Sequence, residues 1–229
     1  MKTPLVYVYT DQPMCSIDCV DATCDVLNSS GIVEAKMIGP DSFPLIELNE
    51  ENLHKASCIV FPGGDGDADQ FDNSLIFKRK LIEDYVSSGG RYLGICQGAY
   101  FAGKHFFNLL RGFDAVQHIK RNGAQIKRSG SNIIDIKWKD ERIYPIYFHD
   151  GAAFVTTSEQ PAFTNILAHY LNGDVACLIQ AHKKGRVGVI GPHPEAQKWW
   201  FYSQTKIKNG WTYCIQTPLL VQLIQELLA

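Results

Sequence analysis

The stretch GICQGAYFAG, Gly94–Gly103, places a cysteine between two glycines directly after an apolar segment. The residues before it, Arg91–Ile95, have the composition of a buried strand, and those after it favour a helix. A strand that turns at once into a helix through Gly-x-Cys-x-Gly resembles a nucleophile elbow, which holds a reactive side chain above the edge of a sheet. Glycines at Gly94 and Gly98 relieve the crowding of such a bend. Taken alone, the motif leaves two interpretations open for Cys96, a nucleophile or a buried structural thiol.

Short apolar runs alternate with helical patterns through the first half of the chain. The predicted strands are Leu5–Tyr9, Val33–Ile38, Ser57–Phe61 and Arg91–Ile95, and the predicted helices are Cys15–Asn28, Phe77–Val86 and Ala99–Leu110. Largely apolar strands that alternate with helices are typical of a parallel sheet covered on both faces. The sequence therefore predicts an α/β fold with a mostly parallel sheet.

The second half of the chain is richer in β-type segments joined by short turns. These segments are Ala124–Lys127, Ile133–Trp138, Arg142–Phe148, Ala153–Thr157, Val175–His182 and Arg186–Ile190, and an amphipathic helix is predicted for Thr217–Leu228. The short turns favour hairpins over helical crossovers, so we expect an additional β-rich hairpin region here. Neither a repeat nor a long linker divides the chain, and we predict a single domain over residues 1–229.

Composition and charge limit the binding partners and the cellular compartment that we expect for this protein. The formal charge is −2, and phosphate-binding surfaces usually leave a basic footprint, so we expect no nucleic-acid partner. The sequence shows neither a membrane span nor a signal peptide, and its seven cysteines are too scattered for a secreted disulfide scaffold, so we expect a cytoplasmic protein. Cys15, Cys19 and Cys24 lack a Cys-x-x-Cys pair or nearby histidines, so we predict neither a metal site nor a cofactor.

A histidine and a glutamate follow another apolar run in GVIGPHPEA. The imidazole of His193 can accept a thiol proton and return it to a leaving group, and the carboxylate of Glu195 can hold the other ring nitrogen. A lone histidine after a strand is commonly structural, but a His-Pro-Glu downstream of a Gly-x-Cys-x-Gly elbow favours catalysis. We therefore predict a catalytic set of Cys96, His193 and Glu195.

Further residues are predicted to bind the substrate or an oxyanion. In VFPGGDGD, the backbone N–H groups of Gly63 and Gly64 can approach a developing negative charge, although a plain strand-to-loop turn is the alternative. The N–H of Gln97 opens the helix after the elbow and is a second donor of this kind. Ser16 follows the first strand, where the ligand crevice of an α/β sheet is expected, and His149 precedes a glycine turn. Both are candidate substrate contacts.

The segments FPGG, GGRYLGICQGAYFA and GRVGVIGPHPE together resemble the class I, triad-type glutamine amidotransferase superfamily. Within it, the likeness is strongest to the amidotransferase-like N-terminal domain of biotin–protein ligases and its free-standing bacterial relatives. The stretch YPIYFHDGAAFV is similar to the Tyr-x-Asn-Gly-Gly segment of that subgroup, with His149–Ala152 departing from it.

The resemblance implies a flavodoxin-like, doubly wound sheet with Cys96 as nucleophile, His193 as general base and acid, and Glu195 orienting the ring. It implies a small-molecule amide or γ-glutamyl substrate, a thioester intermediate, and ammonia passed to a synthetase or ligase partner. Two alternatives remain open at this point: a γ-glutamyl peptidase-type cysteine hydrolase, and a catalytically silent binding or regulatory module.

Overall fold

A computed structural model describes residues 3–12, 14–65, 71, 73–159, 161–201 and 215–229. The described helices are α1 (Ile17–Ser29), α2 (Glu50–Leu53), α3 (Arg79–Ser87), α4 (Gln97–Phe101) and α5 (Thr217–Leu228). The described strands are β1 (Leu5–Tyr9), β2 (Glu34–Ile38), β3 (Cys58–Phe61), β4 (Arg91–Ile95), β5 (Phe113–Gln117), β6 (Ser131–Trp138), β7 (Ile143–His149), β8 (Ala152–Thr156), β9 (Thr164–Tyr170), β10 (Val175–His182) and β11 (Gly185–Ile190).

The described strands form one mixed sheet. Its main path runs β2-β1-β3-β4-β11-β10-β9-β6-β7, and β8 joins β10 and β5 off this path. The pairs from β2 to β11 are all parallel, and β10 pairs with β11 in the antiparallel sense. The predicted α/β class is confirmed. The β-rich second half continues the parallel sheet through β11, because that strand pairs with β4 on one side and with its hairpin partner on the other.

Helices cover both faces of the parallel part of the sheet. A Cβ atom at Gly188 would lie 3.3 Å from a terminal carbon of Leu227 in α5, whereas one at Gly185 would meet the backbone of Val86 in α3. Positions three apart on a strand point to opposite faces. Helices α5 and α3 therefore lie on opposite sides of β11, as the doubly wound prediction requires.

Two of the predicted segments are wrong. Helix α4 ends at Phe101, whereas the sequence pattern predicted a helix over Ala99–Leu110. The apolar residues of the remaining stretch instead enter an aromatic cluster, in which Phe107 contacts Phe61 and Phe71. The predicted strand Ala124–Lys127 is irregular, with a bend at Gln125, and the strands β5 and β9 were not predicted. In the stretch after Phe101, burial of the phenylalanines decided the conformation over local periodicity.

No helix in the described part of the chain is long and apolar enough to cross a lipid bilayer.

Candidate active site

The carboxyl ends of the parallel strands meet around one cavity of about 310 Å³. Because β1, β3, β4 and β11 run in the same direction, the loops that follow them lie at one edge of the sheet. This edge brings together segments that are distant in the sequence. The lining residues are Ser16, Asp18, Cys19, Gly64, Asp65, Cys96, Tyr147, His149, His193, Trp199 and Trp200.

Cys96 has the backbone of a strained elbow. It lies directly after β4 with φ 51° and ψ −106°, a positive-φ conformation that L-residues rarely adopt. A Cβ at Gly94 would lie 2.3 Å from the carbonyl oxygen of Gly98, and one at Gly98 would lie 1.9 Å from the carbonyl oxygen of Phe61. Larger residues at either position would therefore disrupt the bend, which explains the Gly-x-Cys-x-Gly spacing.

The Cys96 side chain is largely enclosed. Only 6% of the residue is exposed, although it forms part of the cavity wall. The elbow motif predicts a solvent-accessible thiol, and this prediction is wrong, because the end of β7 lies over the sulfur. The thiol donates a hydrogen bond to the backbone carbonyl of His149 at 3.3 Å.

His193 and Glu195 form a buried pair in the segment after β11. The Nδ1 atom of His193 lies 2.8 Å from Oε1 of Glu195, and the two residues are 4% and 0% exposed. The backbone N–H of His193 donates to the carbonyl of Tyr147, and the ring of Trp200 packs edge-on against the imidazole. The ring orientation is therefore fixed by a carboxylate, a backbone bond and an aromatic contact.

The charges around His193 favour its protonated form. Burial by itself would lower the pKa of His193, but the charges of Cys96 and Glu195 and hydrogen bonding with the Cys19 and Cys96 thiols raise it well above its ordinary value. A proton that leaves the Cys96 thiol can therefore remain on the ring, as an imidazolium beside a thiolate. That arrangement is the reactive state of a cysteine nucleophile.

The two glycines after β3 lie against the catalytic candidates. A Cβ at Gly63 would lie 2.6 Å from the Cε1 atom of His193, and one at Gly64 would lie 2.7 Å from the side-chain oxygen of Gln97. Their backbone thus approaches the histidine and the elbow more closely than any larger residue allows. The end of the predicted glycine loop, residues 66 and 67, lies outside the described residues.

Ser16 and His149 both line the cavity, and each occupies a defined position. Ser16 is the N-cap residue of α1 and makes no side-chain capping hydrogen bond. The Nδ1 atom of His149 lies 3.1 Å from the hydroxyl of Ser131, which in turn accepts a hydrogen bond from Tyr147. The structure thus brings all eight residues singled out in the sequence to one edge of the sheet.

Sequence reasoning missed Cys19 as a residue of this site. Its thiol lines the cavity and interacts with the ring of His193. Burial raises the pKa of Cys19, and the interaction with His193 only partly offsets that effect. The one available signal was position, because Cys19 lies one turn into the helix that follows β1.

Comparisons with known proteins agree with this architecture. Residues 6–110 match the family model described as "Biotin-protein ligase, N terminal". A biotin–protein ligase from Schizosaccharomyces pombe is 29% identical over 167 residues, which are 61% of this chain and 25% of that protein. The chain thus spans a quarter of the length of this curated relative.

Solved structures with little sequence identity share the fold. A glutamine amidotransferase from Thermotoga maritima superposes with a TM-score of 0.63 at 15% identity, covering 100% of this chain and 99% of that one. A second glutamine amidotransferase gives 0.61 at 17% identity, with 97% and 98% covered. A protein from Salmonella typhimurium that is described as cytoplasmic gives 0.59 at 12% identity, with 98% of both chains covered.

Nearly the whole chain therefore has the fold of these glutamine amidotransferases, and residues 6–110 are similar to the N-terminal domain of biotin–protein ligases.

Proposed function

We propose that the protein is a cysteine-dependent amidase or glutaminase-like hydrolase. Cys96 is the nucleophile, His193 the general base and acid, and Glu195 the group that orients the ring. One observation carries the proposal: a cysteine held at a strained elbow opens on the same cavity as a histidine whose Nδ1 is bound by a buried carboxylate at 2.8 Å.

The reaction follows from the proton transfers that these groups can make. The Cys96 thiol transfers its proton to His193, and the thiolate attacks the carbonyl carbon of an amide. The tetrahedral intermediate collapses when His193 returns the proton to the leaving nitrogen, which releases ammonia and leaves a thioester on Cys96. Water then loses a proton to the ring and attacks the thioester, which releases the carboxylic acid and restores the thiol.

The oxyanion of the tetrahedral intermediate would be stabilised by backbone N–H groups of Gly63, Gly64 and Gln97. This assignment is supported by the close packing of Gly63 on His193 and of Gly64 on Gln97. One well-placed donor of this kind lowers a barrier by roughly 3 kcal/mol. Ser16 and His149, which lie on the cavity wall, would contact the remainder of the substrate.

The substrate in this proposal is a small-molecule amide or a γ-glutamyl compound, since the cavity of about 310 Å³ admits a ligand of that size. The ammonia would serve a separate synthetase or ligase, in keeping with the likeness to a biotin–protein ligase. We further propose that residues 1–229 act as one domain in the cytoplasm. The six described cysteines are all free thiols, which supports a reducing compartment.

A second candidate is a catalytically silent binding or regulatory module on the same scaffold. The observation that favours it is the hydrogen bond that the Cys96 thiol donates to the backbone carbonyl of His149. Catalysis requires that this bond break when substrate enters.

Covalent labelling separates these candidates. The protein is treated with an electrophilic glutamine analogue, and the modified residue is identified by mass spectrometry. For a hydrolase, we expect labelling at Cys96 that is lost in Cys96→Ser and reduced at least 10-fold in His193→Ala. The matched control is Cys24→Ser, which replaces a buried thiol on α1 that does not line the cavity. It should label like the wild type.

Product analysis then defines the hydrolase. Ammonia released from free glutamine supports the glutaminase, whereas amino acids released only from γ-glutamyl peptides support the peptidase alternative. A folded protein that is not labelled at Cys96 would contradict both and favour the silent module.

A further inference from the structure

The thiol of Cys19 is a buried nucleophilic group that the proposed hydrolysis does not use. It lies on α1, faces the cavity, and interacts with the same histidine as Cys96. A buried cysteine needs no such neighbour for packing, since it behaves as a small apolar side chain. Its position at the His193–Glu195 pair therefore calls for a separate explanation.

Three different donor atoms converge at this point. One ligand atom each from Cys19, His193 and Glu195 lies within 4.8 Å of the other two, and all three residues are buried. Sulfur, imidazole nitrogen and carboxylate oxygen are together the donor set that Zn²⁺ prefers in proteins. The alkali and alkaline-earth cations would instead require mostly oxygen ligands.

Two further features point to a ligand at this place. The Oε2 atom of Glu195 is buried without a hydrogen-bond partner among the described residues. Burial of a polar oxygen without a hydrogen bond is energetically unfavourable. In addition, Gly63 keeps the space between two of the donors open, because a Cβ there would lie 2.6 Å from the His193 ring and 3.1 Å from the Cys19 sulfur.

We propose that Cys19, His193 and Glu195 form a binding site for a divalent transition-metal ion, with Zn²⁺ as the preferred ion. The fourth ligand is a water molecule or the Cys96 sulfur, which faces the same cavity. Tetrahedral zinc has bonds of about 2.0 to 2.3 Å, so the donors must close to roughly 3.5 Å from one another. From the observed separation of up to 4.8 Å, metal binding would require the donor atoms to move together by about 1 Å.

The metal and the hydrolytic reaction would compete for one side chain. A metal ion on His193 removes the group that accepts the Cys96 proton, so bound zinc would hold the enzyme inactive and its removal would restore activity. This consequence rests on the proposed function, whereas the binding site itself does not.

The binding test uses the reduced full-length protein without substrate. Zinc affinity is measured by competition with a chromophoric chelator, and Co²⁺ is added as a spectroscopic probe of thiolate coordination. For the wild type we expect one equivalent of zinc and a thiolate-to-cobalt charge-transfer band in the near ultraviolet. Cys19→Ser should weaken zinc binding at least 10-fold and reduce the band, since loss of even a supporting partner costs about 10- to 100-fold.

The matched control is Cys24→Ser, which removes a buried thiol from the same helix and should keep the wild-type affinity. Thermal melting checks that both variants are folded. A folded wild-type protein without a charge-transfer band, or a Cys19→Ser variant with wild-type zinc affinity, would overturn the metal site. Either result leaves the labelling experiment at Cys96 unaffected, so failure of the metal site and failure of the hydrolase proposal are distinguishable.

Discussion

Replacing Gly98 with alanine tests the elbow geometry independently of any activity. The added Cβ would lie 1.9 Å from the carbonyl oxygen of Phe61 and 2.6 Å from its carbonyl carbon. Ordinary van der Waals contact begins at 3.4 Å, so the added Cβ and the carbonyl oxygen must move apart by about 1.5 Å. The obstacle is the backbone of β3, which is hydrogen-bonded on both sides and cannot rotate away as a side chain would.

Overpacking of this kind usually costs 1 to 3 kcal/mol, and a backbone obstacle places Gly98→Ala at the upper end, at about 3 kcal/mol. For a chain of this size, each kcal/mol lowers the melting temperature by about 2 to 4 °C. We therefore expect a decrease of about 6 to 12 °C, measured by circular dichroism during a thermal ramp.

The control is Gly188→Ala, in β11. Its Cβ would lie 3.3 Å from a terminal carbon of Leu227, which can shift at little cost. We expect this variant to melt within about 4 °C of the wild type. If Gly98→Ala melts as high as Gly188→Ala, helix α4 does not pack on β3 as described, and the steric explanation of the elbow glycines is wrong.

Three other variants test the site and its surroundings. In Gly63→Ala, the added Cβ would lie 2.6 Å from Cε1 of His193, so the imidazole ring should be displaced. Labelling of Cys96 should then slow by about 10²-fold. An unchanged labelling rate would contradict the close packing of Gly63 on His193. Glu195→Gln keeps the shape of the side chain but cannot stabilise an imidazolium, so the labelling rate should fall at least 10-fold, and a rate equal to wild type would remove Glu195 from the catalytic set. Burial lowers the pKa of His118 from 6.5 to about 4, so the unfolded state binds the extra proton and stability is lost as the pH falls through that range. Between pH 6.5 and pH 4, the free energy of unfolding of His118→Phe, measured with urea, should decrease by about 2 to 3 kcal/mol less than that of the wild type. An equal decrease in the two proteins would rule out His118 as the source of the pH dependence.

The elements with strong local signals were predictable from the sequence. Strands β1, β4 and β10 and helix α5 have the predicted limits, because an apolar run between turn residues or a helical spacing of leucines specifies them locally. The elbow was also predictable, since its two glycines are required by contacts within one strand–turn–helix unit and the strand beside it. The comparisons with amidotransferases confirm the fold that this motif suggested.

Other features depended on contacts with residues that are distant in the sequence, which a local sequence pattern does not reveal. The stretch after Phe101 has helical spacing, yet its phenylalanines pack into the cluster around Phe71, and Asn108 adopts a left-handed conformation with φ 56°. Strand β9 was missed because its neighbours, β10 and β6, come later and earlier in the chain and are recognised only once the sheet forms.

The sequence by itself determined that Cys96 stands at a bend and that a histidine and a glutamate follow a later strand. Only the tertiary structure decided that Cys19 also reaches His193 and that the backbone of His149 covers the Cys96 thiol. The physical reason is the order of the strands: β11 lies beside β4, and β1 lies beside β3, so loops that are far apart in the chain share one edge of the sheet. Local patterns carry no information about that order, because it is set by which apolar faces and backbone edges pair on folding.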